Sequence, residues 1–488
     1  MNQTFIDWLN TQSQRCVLVE VGANVGGVEK TLYLSNRQWA SSSTDSPAST
    51  QYLDYITGGV RVDRSISMEG DVSSSYGDIE LDNSSGQLDE WFNYVFEGRD
   101  VSIYFGDPAW DKAQFAQVFT GVAVSIDSRK RDRLNLKIGD RLQSLNASIS
   151  APVITVSSGD EKQCPLVFGE VFNITPLLLD SAQLVYKVHD GQVERIIEVR
   201  DNGVPVQFTP LKTAGAFQLL AQPIGAITVS VQGDAVGGYS NTVGGVIEKI
   251  IARFAPENSN VSPASFNSTK LAQFKAAYTQ PIGVFITDKT NLLALCNSLA
   301  KSVGHSLAVG ADGLFYFTNF IPSPSTPSIG GIGVDDIVYQ GITPTKIKSP
   351  SPKVKVGYAK NWTVQASGLS AGIPASHLSL FADEWLTVSK TDLEAVTLYK
   401  YTVEPALVET FLLKATDAGM LALNLLQRDG KKRTTYGVNG FASFLQWELG
   451  DCLTLTHPRW GLASGVKCTV TSVGFDLLKG SYSLEVFV

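Results

Sequence analysis

Apolar and polar residues alternate through most of this chain, and the alternation defines its elements. Phe5, Ile6, Trp8 and Leu9 have the spacing of a short amphipathic helix. Cys16-Val17-Leu18-Val19-Glu20-Val21 and Val28-Glu29-Lys30-Thr31-Leu32-Tyr33-Leu34-Ser35 alternate on either side of Gly22-Ala23-Asn24-Val25-Gly26-Gly27. Glycines after an E-x-G strand also open the cofactor loop of S-adenosylmethionine-dependent methyltransferases, where a helix follows. Here a β-branched, alternating stretch follows, so a hairpin is expected. Ser41 to Thr50 is a polar loop. Strands are expected over Val60 to Met68, Gly77 to Asp82 and Val101 to Phe105, and a helical turn over Leu88, Trp91, Phe92, Val95 and Phe96. Phe119 to Ile126 and Leu134 to Ile138 flank the basic cluster Arg129-Lys130-Arg131-Asp132-Arg133, expected as a solvated hairpin turn. A contact of that cluster with an acidic neighbour is the alternative.

The middle of the chain changes period twice. Ala151 to Asp234 remains β-rich, through Pro165-Leu166-Val167-Phe168-Gly169, Val185-Tyr186-Lys187-Val188-His189-Asp190-Gly191 and Asp201-Asn202-Gly203-Val204. From Asn241 the spacing becomes helical: Val246, Ile247, Ile250, Ile251 and Phe254, then Leu271, Phe274 and Ala277, then Leu292 to Val303, stopped by Gly304. A hairpin around Asp312-Gly313 follows, and Pro322-Ser323-Pro324-Ser325-Thr326-Pro327 and Lys348-Ser349-Pro350-Ser351-Pro352 read as linkers. Lys353 to Tyr358 is expected to enter the last block as a strand.

That last block opens on an amphipathic helix containing Leu421, Leu425 and Leu426, closed by Asp429-Gly430, where the glycine is expected to supply a positive φ. Strands are expected at Leu445 to Leu449, Cys452 to Thr456, Gly465 to Val473 and Tyr482 to Val488. Gly121-Val122 and Gly465-Val466 open similar alternating strands, a weak internal echo. The organisation expected is a β-rich α+β chain of four parts: barrel-like domains over 1–150 and 346–488, a β domain over 151–235 and a small α+β domain over 236–345.

Composition narrows the function classes. The 488 residues carry a formal charge of −8, which argues against a surface that adheres to nucleic acid. No apolar run is long enough to span a bilayer and the N-terminus lacks a secretory pattern, so a reducing cytosol is expected, without stable membrane insertion. Five scattered cysteines, Cys16, Cys164, Cys296, Cys452 and Cys468, fit buried thiols. Four histidines, His189, His305, His377 and His457, are too dispersed for a nucleophile pair. His189 beside Asp190 reads as a turn anchor. Cys452, His457 and Cys468 fall short of a structural metal set, which takes four ligands. No catalytic, cofactor-binding or metal residue is assigned.

Three stretches carry a family resemblance. They are the Pro165-Leu166-Val167-Phe168-Gly169, Val185-Tyr186-Lys187-Val188-His189-Asp190-Gly191 and Asp201-Asn202-Gly203-Val204 run; the helix, Asp-Gly hairpin and linker of 288–322; and the last helix followed by Leu449-Gly450-Asp451-Cys452-Leu453-Thr454-Leu455. In this order the chain resembles the baseplate or tail-tip hub of long-tailed bacteriophages. The resemblance implies two tail-tube-like β-barrels per subunit and a homotrimeric, pseudo-six-fold ring that continues the tail tube. It implies a non-enzymatic virion protein, assembled in the bacterial cytoplasm, with no cofactor. Its implied partners are itself, the distal tail protein, the tape-measure protein and tail-fibre or tip proteins, with viral DNA in transit at ejection. Some relatives hold an iron–sulfur segment, for which this chain has too few cysteines. A hexameric distal tail protein and a carbohydrate-binding adhesin or tail-fibre module are the alternatives.

Overall fold

The computed structural model describes residues 3–11, 13–67, 74–319 and 326–488. Met68 of the strand expected over Val60 to Met68, and Pro322 to Ser325 of the expected linker, lie outside them. Strands Cys16–Val25 and Val28–Ser35 form the expected hairpin, with Val25 opposite Val28. Gly26 and Gly27 sit at φ +60° and +89°, the left-handed pair that a two-residue turn between twisted strands requires. A strand follows the glycines, so the cofactor-loop geometry of a methyltransferase is not formed there.

Among the described residues, both ends of the chain contribute to one sheet of fifteen strands. Its first half runs, in spatial order, through Ile56–Ser65, Ser74–Asp82, Arg133–Asp140, Ala116–Lys130, Asp100–Gly106, Cys16–Val25 and Val28–Ser35 to the short strands Gln51–Asp54 and Trp39–Ala40. Its second half runs from Val466–Asp476 through Ser481–Phe487 and Arg433–Gly440 to the edge strand Ile337–Lys348, with Cys452–Leu455 and Gly330–Ile332 as a side branch. The halves meet where Ser472 to Asp476 pair antiparallel with Ser65 to Arg61. Leu477 N donates to Val60 O at 3.0 Å and Ile66 N to Thr471 O at 2.9 Å, extending that seam at both ends.

One hydrophobic cluster runs beneath both halves, from Val17, Val19 and Val62 to Val473, Leu484 and Val486, and takes in Phe5 and Trp8 of helix Gln3–Leu9. Each such fully buried side chain contributes about 1.5–3 kcal/mol. The β-rich α+β class is as expected, but among the described residues the pairing closes neither end into a barrel. The reason is in the order: Val466–Asp476 and Ile56–Ser65 each use an edge to join the halves, and the sheet stays open from Trp39–Ala40 to Ile337–Lys348.

The middle of the chain packs beside this sheet. Strands Leu166–Ile174, Val193–Asp201 and Ile227–Asp234 pair together, and Gly283–Ile286 joins through Leu166 to Gly169. Helices Val243–Phe254, Ser268–Ala277 and Leu292–Lys301 bury their apolar stripes with hairpin His305–Val309 and Phe315–Asn319. Strand Lys353–Tyr358 pairs with Leu386–Thr391 and Leu407–Val408, and its Val354 and Val356 share this core with Leu421 of helix Ala415–Asp429.

Three local expectations are corrected. Leu445 to Leu449 is not a strand: Ala442–Gln446 is a 3-10 helix, and Phe444, Leu445 and Leu449 are buried from a turn. Around Leu88 to Phe96 only Asp89–Asn93 is helical, and Phe92 and Val95 face solvent, because the five-residue 3-10 turn cannot hold a helical stripe. Gly430 lies at φ −68°, so its need is for space. A Cβ there would stand 2.5 Å from Leu426 O.

Candidate functional site

One face of the long sheet is dry throughout, and the other is polar around the seam and covered by a second apolar cluster of Cys16, Leu18, Trp39, Tyr52 and Phe115 at its far strands. Register decides which residues share it. Arg61 pairs with Asp78 on one side and Asp476 on the other, and Asp63 with Tyr76 and Gly474. Asp78 pairs onward with Lys137 and Glu80 with Asn135, while Glu485 lies opposite Ser472. Partners in register point to the same side, so these side chains form one surface. Its cations are held by neighbouring carboxylates: Arg61 by Asp63 at 2.6 Å, Lys137 by Asp78 at 2.8 Å and Arg133 by Glu80 at 3.6 Å. Asp82 and Glu485 add negative charge. The basic cluster divides here, with Arg129, Lys130 and Arg131 exposed at the turn and Arg133 turned onto the acidic face.

Beneath the seam, an ion pair between buried Arg64 and half-buried Glu448 ties three segments together. Arg64, on the dry side of its strand, donates to Val309 O at 2.7 Å and to the Glu448 carboxylate. Glu448 accepts from Ala311 N at 3.1 Å, and Tyr316 Oη donates to Leu449 O at 2.9 Å. The first half of the sheet, the 305–319 hairpin and the turn after Ala442–Gln446 are thereby locked. Burial works against the Arg64 charge, but the adjacent Glu448 outweighs it and raises the pKa. Burial pushes Asp140 up to about 6 against hydrogen bonds from Ser75 and the Leu142 N–H. Sequence reading passed over Arg64, although a signal existed: it shares parity with Val60 and Val62 in an alternating strand, placing a charge in the apolar register.

His189 is fully buried and anchors more than a turn. Its Nδ1 accepts from Val167 N at 2.9 Å, so Nε2 carries the proton and donates to Asp234 Oδ2 at 3.3 Å. Asp234 also receives Lys249 Nζ at 2.6 Å, and Arg253 pairs with Asp190. This fastens helix Val243–Phe254 to the β unit. Burial lowers the His189 pKa, with Asp234 opposing. His305, packed 4.4 Å from the Tyr278 ring, is pushed down to about 4 by burial.

An imidazole with a pKa of about 6.5 when unfolded and a lower one when folded binds its proton more readily in the unfolded chain. The two histidines therefore favour the fold above pH 6.5, and that support is lost as pH falls towards 4. Asp140 has the opposite sign, its support being full below its unfolded value and lost as pH rises through about 6. The expected result is a shallower fall in stability between pH 6.5 and 4 for His305→Phe than for the parent, read from denaturation midpoints. Parallel curves would refute it.

The remaining candidates stay apart. Cys452 lies opposite Thr469 and Cys468 opposite Leu453, so the two sulfurs leave opposite faces of the strand pair. His457 stacks on Trp460 at 5.3 Å. Among the described residues no three His, Cys, Asp or Glu side chains converge on a metal-sized site.

No family model and no curated protein matches the chain. Among solved structures it is similar to the 43 kDa tail protein of prophage MuSo2 from Shewanella oneidensis, at 12% identity, covering 97% of this chain and 98% of that one, with a TM-score of 0.44. It is similar also to a tail protein from Neisseria meningitidis, at 12% identity over 97% and 96% of the two chains, TM-score 0.43. A chain of the native gene transfer agent virion aligns at 12% identity over 71% of this chain and 91% of its own, TM-score 0.46. The structural neighbours of this chain are thus phage tail and virion proteins.

Proposed function

We propose that the protein is a structural component of a phage tail tip or baseplate, a hub subunit whose long sheet forms part of the wall of a ring through which DNA passes. The observation that carries this reading is the single sheet built from both ends of the chain, dry on one face and acidic around the seam on the other. A wall of that kind needs its apolar side covered and its lumen unattractive to phosphates, and attraction to phosphates comes from Lys and Arg. In this reading the wall strands lie within 16–140, 330–348 and 433–487. The four-part division 1–150, 151–235, 236–345 and 346–488 is proposed with 353–429 as an insertion packed on the helical unit. Three copies close the ring, stacked on a distal tail protein and facing the tape-measure and tip proteins in the virion.

Image reconstruction of the purified full-length chain tests this. A three-fold ring with Asp78 and Glu80 towards the channel is expected. A six-fold ring favours a distal tail protein, and an isolated subunit or an outward-facing acidic sheet overturns the reading. A second measurement probes the lumen chemistry. Asp78→Lys with Glu80→Lys is expected to turn a protein that leaves duplex DNA unshifted into one that retards it. Each phosphate that the new lysines neutralise steepens the fall of log affinity with log salt by about 0.9. Retardation by the parent itself would count against an acidic passage.

A further inference from the structure

Beside the end of the edge strand Ile337–Lys348 lies a groove of about 510 Å³ bordered by Leu407, Val408 and Glu409. Strand Leu407–Val408 is the outer strand of its three-stranded sheet and pairs, among the described residues, with Lys355 and Val356 alone. One side of its backbone is therefore not used by that sheet. Four cations line the same groove, Lys301, Lys348, Lys360 and Arg428, in a chain whose formal charge is −8. Lys360 lies over the Trp362 and Trp385 rings at 4.6 and 5.0 Å and meets Glu384 at 3.2 Å. Lys348 meets Asp429 at 3.3 Å, and Arg428 also pairs with Asp429. Lys301, in the last turn of helix Leu292–Lys301, has no ion pair among the described residues. Phe411 and Leu425 add apolar wall between the charges.

We propose that this groove takes an extended acidic segment of a partner protein as an added strand on Leu407 to Glu409. An added strand gains main-chain hydrogen bonds from the outer strand, and its side chains alternate between the two kinds of surface the groove offers. Acidic positions meet Lys301, Lys348 and Lys360, and apolar positions meet Phe411 and Leu425. A nucleic-acid strand fits less well, since its phosphates offer nothing to the apolar wall of Phe411 and Leu425 and no main-chain amides to the outer strand. The proposal stands apart from ring formation and is tested on the unassembled chain.

The full-length protein is titrated at low ionic strength with a short fluorescein-labelled peptide alternating Glu with Val. A saturable anisotropy rise is expected, weakened about tenfold by Lys301→Glu or by Lys360→Glu and unchanged by Lys130→Glu, which lies on the exposed turn. Hydrogen exchange at Leu407 to Glu409 is expected to slow when the peptide is bound. Should a Glu variant fail to fold, Lys301→Gln and Lys360→Gln carry the same comparison. Absence of binding, equal binding by parent and groove variants, protection elsewhere, or equally tight binding of oligothymidylate with the same losses would each overturn the proposal.

Discussion

Arg64→Ala is expected to destabilise the protein by about 1–3 kcal/mol, the cost of losing a buried guanidinium's hydrogen bonds and leaving the quarter-exposed Glu448 carboxylate (26%) without its cation. Glu448 would keep its charge beside the apolar core, and Val309 O would lose its guanidinium donor. The denaturation midpoint reads the loss, and limited proteolysis locates it. New cleavage is expected in the 305–319 hairpin and the turn at 446–451, the two segments that Arg64 and Glu448 hold. Arg64→Met combined with Glu448→Leu is expected to recover most of the loss, because no unpaired charge remains. A shift of less than about 1 kcal/mol for Arg64→Ala would mean that water reaches the pair and that it contributes as an exposed one would.

Gly474→Pro is expected to part the two halves of the sheet. Gly474 lies mid-seam, opposite Asp63, where a Cβ would already stand 2.8 Å from Asp63 Oδ1. Proline removes the N–H from a strand paired on both sides, leaving a buried acceptor unsatisfied at a cost of about 1–3 kcal/mol, and adds ring atoms in a space already too tight for a Cβ. Hydrogen exchange should accelerate together in Ile56–Ser65 and Val466–Asp476, while hairpin Cys16–Val25 with Val28–Ser35 keeps its protection. If ring assembly depends on the continuous wall, the same variant should form no rings. Acceleration confined to the last strands would show that the first half holds its edge without the seam.

These two residues also mark the limit of what could be read from the chain. Hairpin Cys16 to Ser35, the strands flanking Arg131-Asp132, and helices Val243–Phe254 and Leu292–Lys301 were legible because a period of two or 3.6 is a local property. The seam was not, because Val60 and Asp476 are 416 positions apart and alternation does not say which edge a strand will meet. The same gap explains why closed barrels were expected, since a run of alternating strands is equally consistent with a closed wall and with two open halves joined. The polar face was half legible. Asp63, Asp78 and Glu80 were visibly the polar positions of their strands, but their assembly into one surface required the register. The groove beside Leu407 was not legible, as Lys301, Lys348 and Lys360 lie on three separate segments and each resembles an ordinary solvated lysine.

The long reach of the seam has a consequence for biosynthesis. At 5–20 residues per second, roughly 20–80 s separate the emergence of Val60 from that of the residue it finally meets at Asp476. Throughout that interval the nascent first half presents Ile56–Ser65 as a bare hydrogen-bonding border, the kind of feature on which misassembly between neighbouring polysomal chains begins. Translation through Val466–Asp476 therefore closes the most exposed period of the first half.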